Sequence, residues 1–222
     1  MDSFVLKIIA IITMVIDHTG YIIFNRFSYF NYIGRIAFPI FAFQISEGYI
    51  HTKNLKKYFL RLFIFAIISQ IPFMLFNSLI TEEFNLNIFF TLLLGFASIH
   101  IYDKSKYKIL GILFAILIGL VAQFSNCDYG FYGIAIIFIF YLFKNNIVIA
   151  SFSFISITAI KYLVYIFKYG FFAEFLYLMF ATMSSIIFIS LYNGKKGKDT
   201  KYFLYLFYPI HLLIIYGISL IK

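Results

Sequence analysis

Charge is the scarcest commodity in this 222-residue chain: only 12% of residues are Asp, Glu, Lys or Arg, where a soluble domain carries about 25%. That shortage excludes an ordinary water-soluble surface. Cysteine is nearly absent as well, and the single Cys127 rules out an internal disulfide and leaves no thiolate set for a metal. Tryptophan is missing entirely, so any aromatic belt at a membrane interface falls to the 19 tyrosines. Polar stretches long enough to form a separate soluble domain are lacking, as are internal repeats, low-complexity tracts and linkers, so the chain reads as one domain over 1–222.

What remains is apolar. Hydrophobic residues make up 63% of the chain, 32 of them Phe, and the mean hydropathy is +0.95. Apolar stretches near the roughly 20 residues needed to cross a bilayer recur from end to end. The expected fold is an all-α polytopic integral membrane protein, a bundle of about nine helices near 4–24, 32–50, 59–77, 86–102, 109–122, 130–143, 147–166, 174–192 and 202–221. The fifth and sixth are short enough to form one re-entrant hairpin. The first lacks a basic leader and a small-residue cleavage site, so it reads as a retained helix rather than a signal peptide.

The cations set the orientation. With nine spans, Lys7, the group Lys53, Lys56, Lys57 and Arg61, the group Lys104, Lys106 and Lys108, Lys144, and the group from Lys195 to Lys201 fall on one side. Arg26, Lys168 and Lys222 fall on the other, with Glu82, Glu83, Asp128 and Glu174. The positive-inside rule puts the N-terminus in the cytoplasm and the C-terminus outside. The net charge of +9 is therefore a matter of topology and anionic headgroups, not of nucleic acid, which is not an expected partner.

Against this background the ionisable residues inside spans stand out, because each costs about 2.5–3.5 kcal/mol to insert. They are Asp17, His18, Arg35, Glu47, Lys161 and His211. Asp17 and His18 point about 100° apart on a helix, so they cannot serve one ligand together; Asp17 shares a stripe with Tyr21. Asp17 is expected to pair with Arg35, leaving His18 to reach a reacting centre. A buried bridge that merely locks two helices, and a histidine satisfied by a backbone carbonyl, are the structural alternatives. In the second span Gln44, Glu47, Gly48 and His51 share a stripe by their i, i+3, i+4, i+7 spacing. In the last, Tyr208 and His211 flank Pro209, which frees a carbonyl that a side chain or water must satisfy. The histidines and Glu47 sit at different depths, so no metal site is expected.

Four segments together resemble the TraX family of conjugation-associated membrane proteins, named for a protein that N-acetylates pilin: "LKIIAIITMVIDHTGYIIF", "IGRIAFPIFAFQISEGYIHTKNLKKYFLRLFIFAIISQIPF", "NIFFTLLLG" and "FYPIHL". The likeness is dense over 6–95, sparse over 96–200 and recovers at 203–213. It implies a transmembrane acyltransferase-like domain that moves acetyl from cytoplasmic acetyl-CoA to an extracytoplasmic or membrane-bound acceptor: a pilin or peptide N-terminus, or a glycan. The family's Asp-His, Gly-Arg, Glu-Gly and Tyr-Pro-x-His elements fall on Asp17–His18, Gly34–Arg35, Glu47–Gly48 and Tyr208–His211. On this reading His18, Asp17 and Arg35 are catalytic. Lys53, Lys57 and Arg61 hold the acetyl-CoA phosphates, and Glu47, His51, Tyr208 and His211 contact substrate. The competing readings are a small proton-coupled transporter using the same intramembrane polar residues and a non-catalytic membrane assembly factor.

Overall fold

The structure, a computed structural model, describes residues 1–24, 28–198 and 201–221. Among these the chain forms eleven helices: α1 (Ser3–Ile22), α2 (Ser28–Gly34), α3 (Ala37–His51), α4 (Leu55–Ile68), α5 (Gln70–Asn77), α6 (Ile88–Lys104), α7 (Lys108–Phe124), α8 (Gly130–Leu142), α9 (Ile147–Tyr169), α10 (Ala173–Ser190) and α11 (Lys201–Ile221). The extended pairing among the described residues is an isolated bridge between Leu86 and Cys127. Arg26 and Lys222, two of the cations assigned to the outer side, lie outside the described residues.

Short polar side chains start the helices. Asp2 caps α1 by accepting from the Val5 amide at 2.9 Å, Asn54 caps α4 through Lys57 at 2.8 Å, and Asn146 caps α9 through Val148 and Ile149. Each satisfies a first-turn N–H that the helix itself leaves unpaired.

The all-helical expectation holds, with two corrections to the span boundaries. The stretch 32–50 is not one helix: it breaks at Arg35–Ile36, between α2 and α3. The stretch 59–77 is interrupted at Ser69, between α4 and α5. Proline explains both. Pro39 and Pro72 each occupy the third position of the new helix, where a missing N–H costs no intrahelical bond, so the chain restarts its helix just upstream of each ring. Pro209 sits inside α11 without ending it.

Four segments are long and apolar enough to cross a membrane: α1, Leu55–Asn77, α9 and α10. The helices α7 and α8 are separate, and α8, with 13 residues, is about 20 Å long against a hydrocarbon thickness of about 30 Å. Large apolar side chains are exposed along most of these helices, including Phe124, Phe167 and Ile109, as expected of surfaces that meet lipid rather than water.

The chain folds as two compact units. The first comprises residues 1–44 and 143–200, the second residues 45–142 and 201–222. In the first unit, Ser3 donates to Gln44 at 2.7 Å, its amide bonds the Lys195 carbonyl, and Tyr32 of α2 packs against Tyr177 of α10.

In the second unit, a polar knot holds the α4–α5 break against the start of α6. Fully buried Asn87 donates to the Ala66 carbonyl at 2.7 Å and to Gln70 Oε1 at 2.8 Å, while its own oxygen caps α6 at the Phe89 amide. Asn87→Leu should therefore cost about 2–4 kcal/mol, the sum of an unsatisfied buried carbonyl and a lost cap. The fall in melting temperature in detergent measures it, with Asn87→Asp, which keeps the cap alone, in between.

Candidate functional site

The first unit gathers its polar residues around Asp17. In α1, one helical turn places Asp17 and Tyr21 on the same face, and the break after Gly34 turns Arg35 back toward them. Arg35 Nη2 donates to both carboxylate oxygens of Asp17, at 3.2 and 3.1 Å, and approaches the Tyr21 hydroxyl at 3.4 Å. Asn31 adds a second donor, with its Nδ2 3.0 Å from Asp17 Oδ1. The Arg35 Nε–H points at the Asn31 carbonyl at 3.4 Å, so the cation is held by the same residue that steadies the acid. The expected Asp17–Arg35 pair is thus formed, with side-chain exposures of 12% and 20%.

This approach demands a glycine at 34. A Cβ there would lie 2.2 Å from Asp17 Cβ and 2.3 Å from its Cγ, far inside contact distance. Gly34→Ala must push α1 and α2 apart, and we expect a loss of at least about 1–3 kcal/mol from overpacking alone. Its signature is weakened helix packing in a thermal melt, with Gly34→Ser no better than Ala.

His18 follows Asp17 but lies about 100° round α1, half-buried, within reach of the Arg35 charge. That charge also extends to Tyr162 and Tyr165 of α9. Buried Tyr162 shares a hydrogen bond of 3.2 Å with Thr182 of α10, and the Lys161 amino group sits 5.3 and 5.7 Å from the centroids of the Tyr162 and Tyr165 rings. The set contains an imidazole for proton transfer, a fixed cation and phenols able to stabilise an oxyanion, and a carboxylate that neutralises and orients the cation. Asn31, Tyr162 and Thr182 are not marked by the sequence, since none is charged and their partners lie far away along the chain.

The other proposed site residues belong to the second unit. The stripe on α3 does not present its four members to one ligand. Glu47 pairs with His51 at 3.3 Å, Gly48 is covered by Tyr58, and Gln44, in the first unit, takes the Ser3 hydroxyl. Lys53 and Lys57 are exposed. Arg61 is half-buried, with its guanidinium 5.5 Å from the Tyr58 ring centroid and bonded to Tyr205. Tyr208 is buried edge-on to Phe89. His211 Nδ1 pairs with the Phe207 carbonyl at 3.0 Å, not with that of Tyr205, the group Pro209 frees, because its own side chain reaches back one turn to residue i−4.

A further cluster in this unit falls outside the expected site. Tyr49 of α3 and Tyr141 of α8 donate to the two carboxylate oxygens of Asp103 at the end of α6, at 3.0 and 2.8 Å, and the Tyr49 hydroxyl also meets His100 Nδ1 at 3.2 Å. His100 and Asp103 are three residues apart and share a face of α6, but Tyr49 and Tyr141 lie on other helices, which no spacing within α6 encodes. Among the described residues no group of three or more His, Cys, Asp or Glu side chains is placed to hold a metal ion.

An all-helical chain with helices of membrane-spanning length, carrying a buried carboxylate–guanidinium pair beside a histidine, defines a membrane-type helical protein with an internal polar site. The family described as TraX protein matches residues 3–219, and the chain belongs to that family. It is similar to the "Probable fimbrial assembly protein FimC, serogroup H1" of Dichelobacter nodosus, with 27% identity over 237 residues that cover 96% of this chain and 94% of that protein. No solved structure matches.

Proposed function

We propose that this protein is a membrane-embedded acetyltransferase of fimbrial or pilus assembly, moving acetyl from cytoplasmic acetyl-CoA to an extracytoplasmic or membrane-bound acceptor. The acceptor is an amine or hydroxyl on a pilin or peptide N-terminus, or on a glycan. The observation that carries this reading is the Asp17–Arg35 pair, closed on Gly34 and adjacent to His18, within the stretch 3–219 that matches the TraX family. The name of the Dichelobacter nodosus relative supports the setting in fimbrial assembly.

In this scheme His18 takes the proton from the acceptor as it attacks the acyl carbon, Arg35 with the neighbouring phenols stabilises the developing oxyanion, and the C–S bond of the donor thioester breaks as CoA leaves with the electron pair as a thiolate. Asp17 keeps Arg35 in place. The exposed Lys53 and Lys57, with Arg61, supply phosphate contacts for the donor. The protein is a multi-pass protein of the bacterial cytoplasmic membrane, its N-terminus cytoplasmic and its C-terminus outside.

Intact mass spectrometry of a pilin subunit co-expressed with this protein tests the reading. The subunit should gain one acetyl group with the wild type and none with His18→Ala. An unmodified subunit that is nevertheless assembled into fimbriae more efficiently in the presence of either form would favour a non-catalytic assembly factor.

A further inference from the structure

The Tyr49–His100–Asp103–Tyr141 cluster joins three helices of the second unit, and its hydrogen bonds can be assigned individually. Tyr49 has one hydroxyl proton and two partners, Asp103 Oδ2 at 3.0 Å and His100 Nδ1 at 3.2 Å. Asp103 lies past the end of the span expected at 86–102. Burial pushes its pKa up, but the hydrogen bonds from Tyr141 and Tyr49 and the charges of Lys104 and Lys108 outweigh that effect and hold it below its ordinary value. An ionised carboxylate can only accept, so the Tyr49 proton goes to Asp103. The Tyr49 oxygen must then accept from His100, which makes Nδ1 a protonated nitrogen and, in the neutral ring, leaves the lone pair on Nε2.

The surroundings suit a donor with phosphates. Tyr49, Tyr58 and Phe59 all pack against Phe96 of α6, one turn before His100, with ring centroids 5.3, 5.1 and 6.3 Å away. Tyr58 is fixed in turn by Gly48, where a Cβ would come within 2.5 Å of the Tyr58 hydroxyl. The first turns of α4, which carry Lys57 and Arg61, therefore lie at the same end of the unit as His100, as do Lys104 and Lys108.

We infer that His100 is a second reactive centre, an acyl acceptor for a thioester carried by a phosphate-bearing nucleotide, with Tyr49 and Asp103 as its positioning residues. This rests on the acetyltransferase reading and divides it, giving the donor half-reaction its own residue. His100 Nε2 attacks the thioester carbonyl, an N–C bond forms, the C–S bond breaks, and the sulfur leaves with the electron pair as a thiolate. The acyl-imidazolium keeps its Nδ1 proton on Tyr49, with the Asp103 carboxylate behind it to offset the new positive charge. An acceptor amine then attacks the acetyl carbon, the acyl C–N bond to His100 breaks, the amine gives up its proton to the base of the acceptor half-reaction, and the neutral imidazole returns.

The experiment uses the full chain in lipid nanodiscs. In 15N-histidine spectra, the resonance missing from His100→Gln should show the Nδ1-protonated tautomer in the wild type and shift toward the Nε2-protonated form in Tyr49→Phe. Tyr49→Phe keeps the Tyr141–Asp103 bond, so its melting temperature reports whether the fold is intact. With radiolabelled acetyl-CoA, rapid denaturation near neutral pH should trap label on wild-type protein, and His100→Gln should lose that label and release CoA at least about 100-fold more slowly. An Nε2-protonated His100 in the wild type, or CoA release at the wild-type rate in His100→Gln, overturns the inference alone. A wild type that neither binds acetyl-CoA nor releases CoA overturns the acetyltransferase reading, and the acyl role of His100 with it.

Discussion

Arg35→Ala lowers the stability of the protein by about 3–5 kcal/mol, the cost of removing one partner from a buried ion pair and leaving the other charged. The magnitude follows from what Asp17 keeps. Without the guanidinium the carboxylate retains Asn31 as a donor, but loses both Nη2 bonds and the cation that bridges its oxygens. Arg35→Lys restores the charge but not the geometry, since a point ammonium does not also reproduce the Nε–H contact with the Asn31 carbonyl, and it falls between wild type and Ala. The double variant Asp17→Asn, Arg35→Gln recovers much of the loss, because no uncompensated charge remains. Thermal unfolding of the four proteins in detergent checks the series. A double variant as unstable as Arg35→Ala would mean that the pair acts through packing rather than charge.

His18→Ala behaves in the opposite way. His18 lies off the Asp17 face of α1, so its truncation leaves the Asp17–Arg35 pair and the close approach at Gly34 intact. The melting temperature should change little. Acetyl transfer, by contrast, should fall by about 10²–10⁴, the usual contribution of a positioned acid–base group. The contrast between the two variants separates architecture from chemistry. Arg35→Ala weakens both, while His18→Ala removes activity from a folded protein.

The sequence made the central pairing legible because the argument there is local and energetic. Two opposite charges in adjacent apolar helices are costly apart and cheap together, and helical periodicity puts Tyr21 on the Asp17 face. The helices themselves were legible from apolar length. Their breaks were less so, since a proline marks the first turn of a new helix as readily as a kink in an old one: Pro39 and Pro72 follow a restart, whereas Pro209 lies within a continuous helix. Charge misled at Arg61: its place among lysines suggests a solvent-facing rim, yet the side chain folds back over Tyr58. The Asp103 cluster was out of reach for a different reason. Its bonds join residues 54 and 38 positions apart in sequence, and no periodicity within one helix encodes a partner on another.

The account stands or falls on the acyl donor. The direct measurement is binding and turnover of acetyl-CoA by the purified protein in lipid nanodiscs, wild type beside His18→Ala. Saturable binding by both proteins, with acceptor-dependent, multiple-turnover release of CoA by the wild type alone, is the predicted result. A wild-type protein that neither binds acetyl-CoA at millimolar concentration nor releases CoA would contradict it.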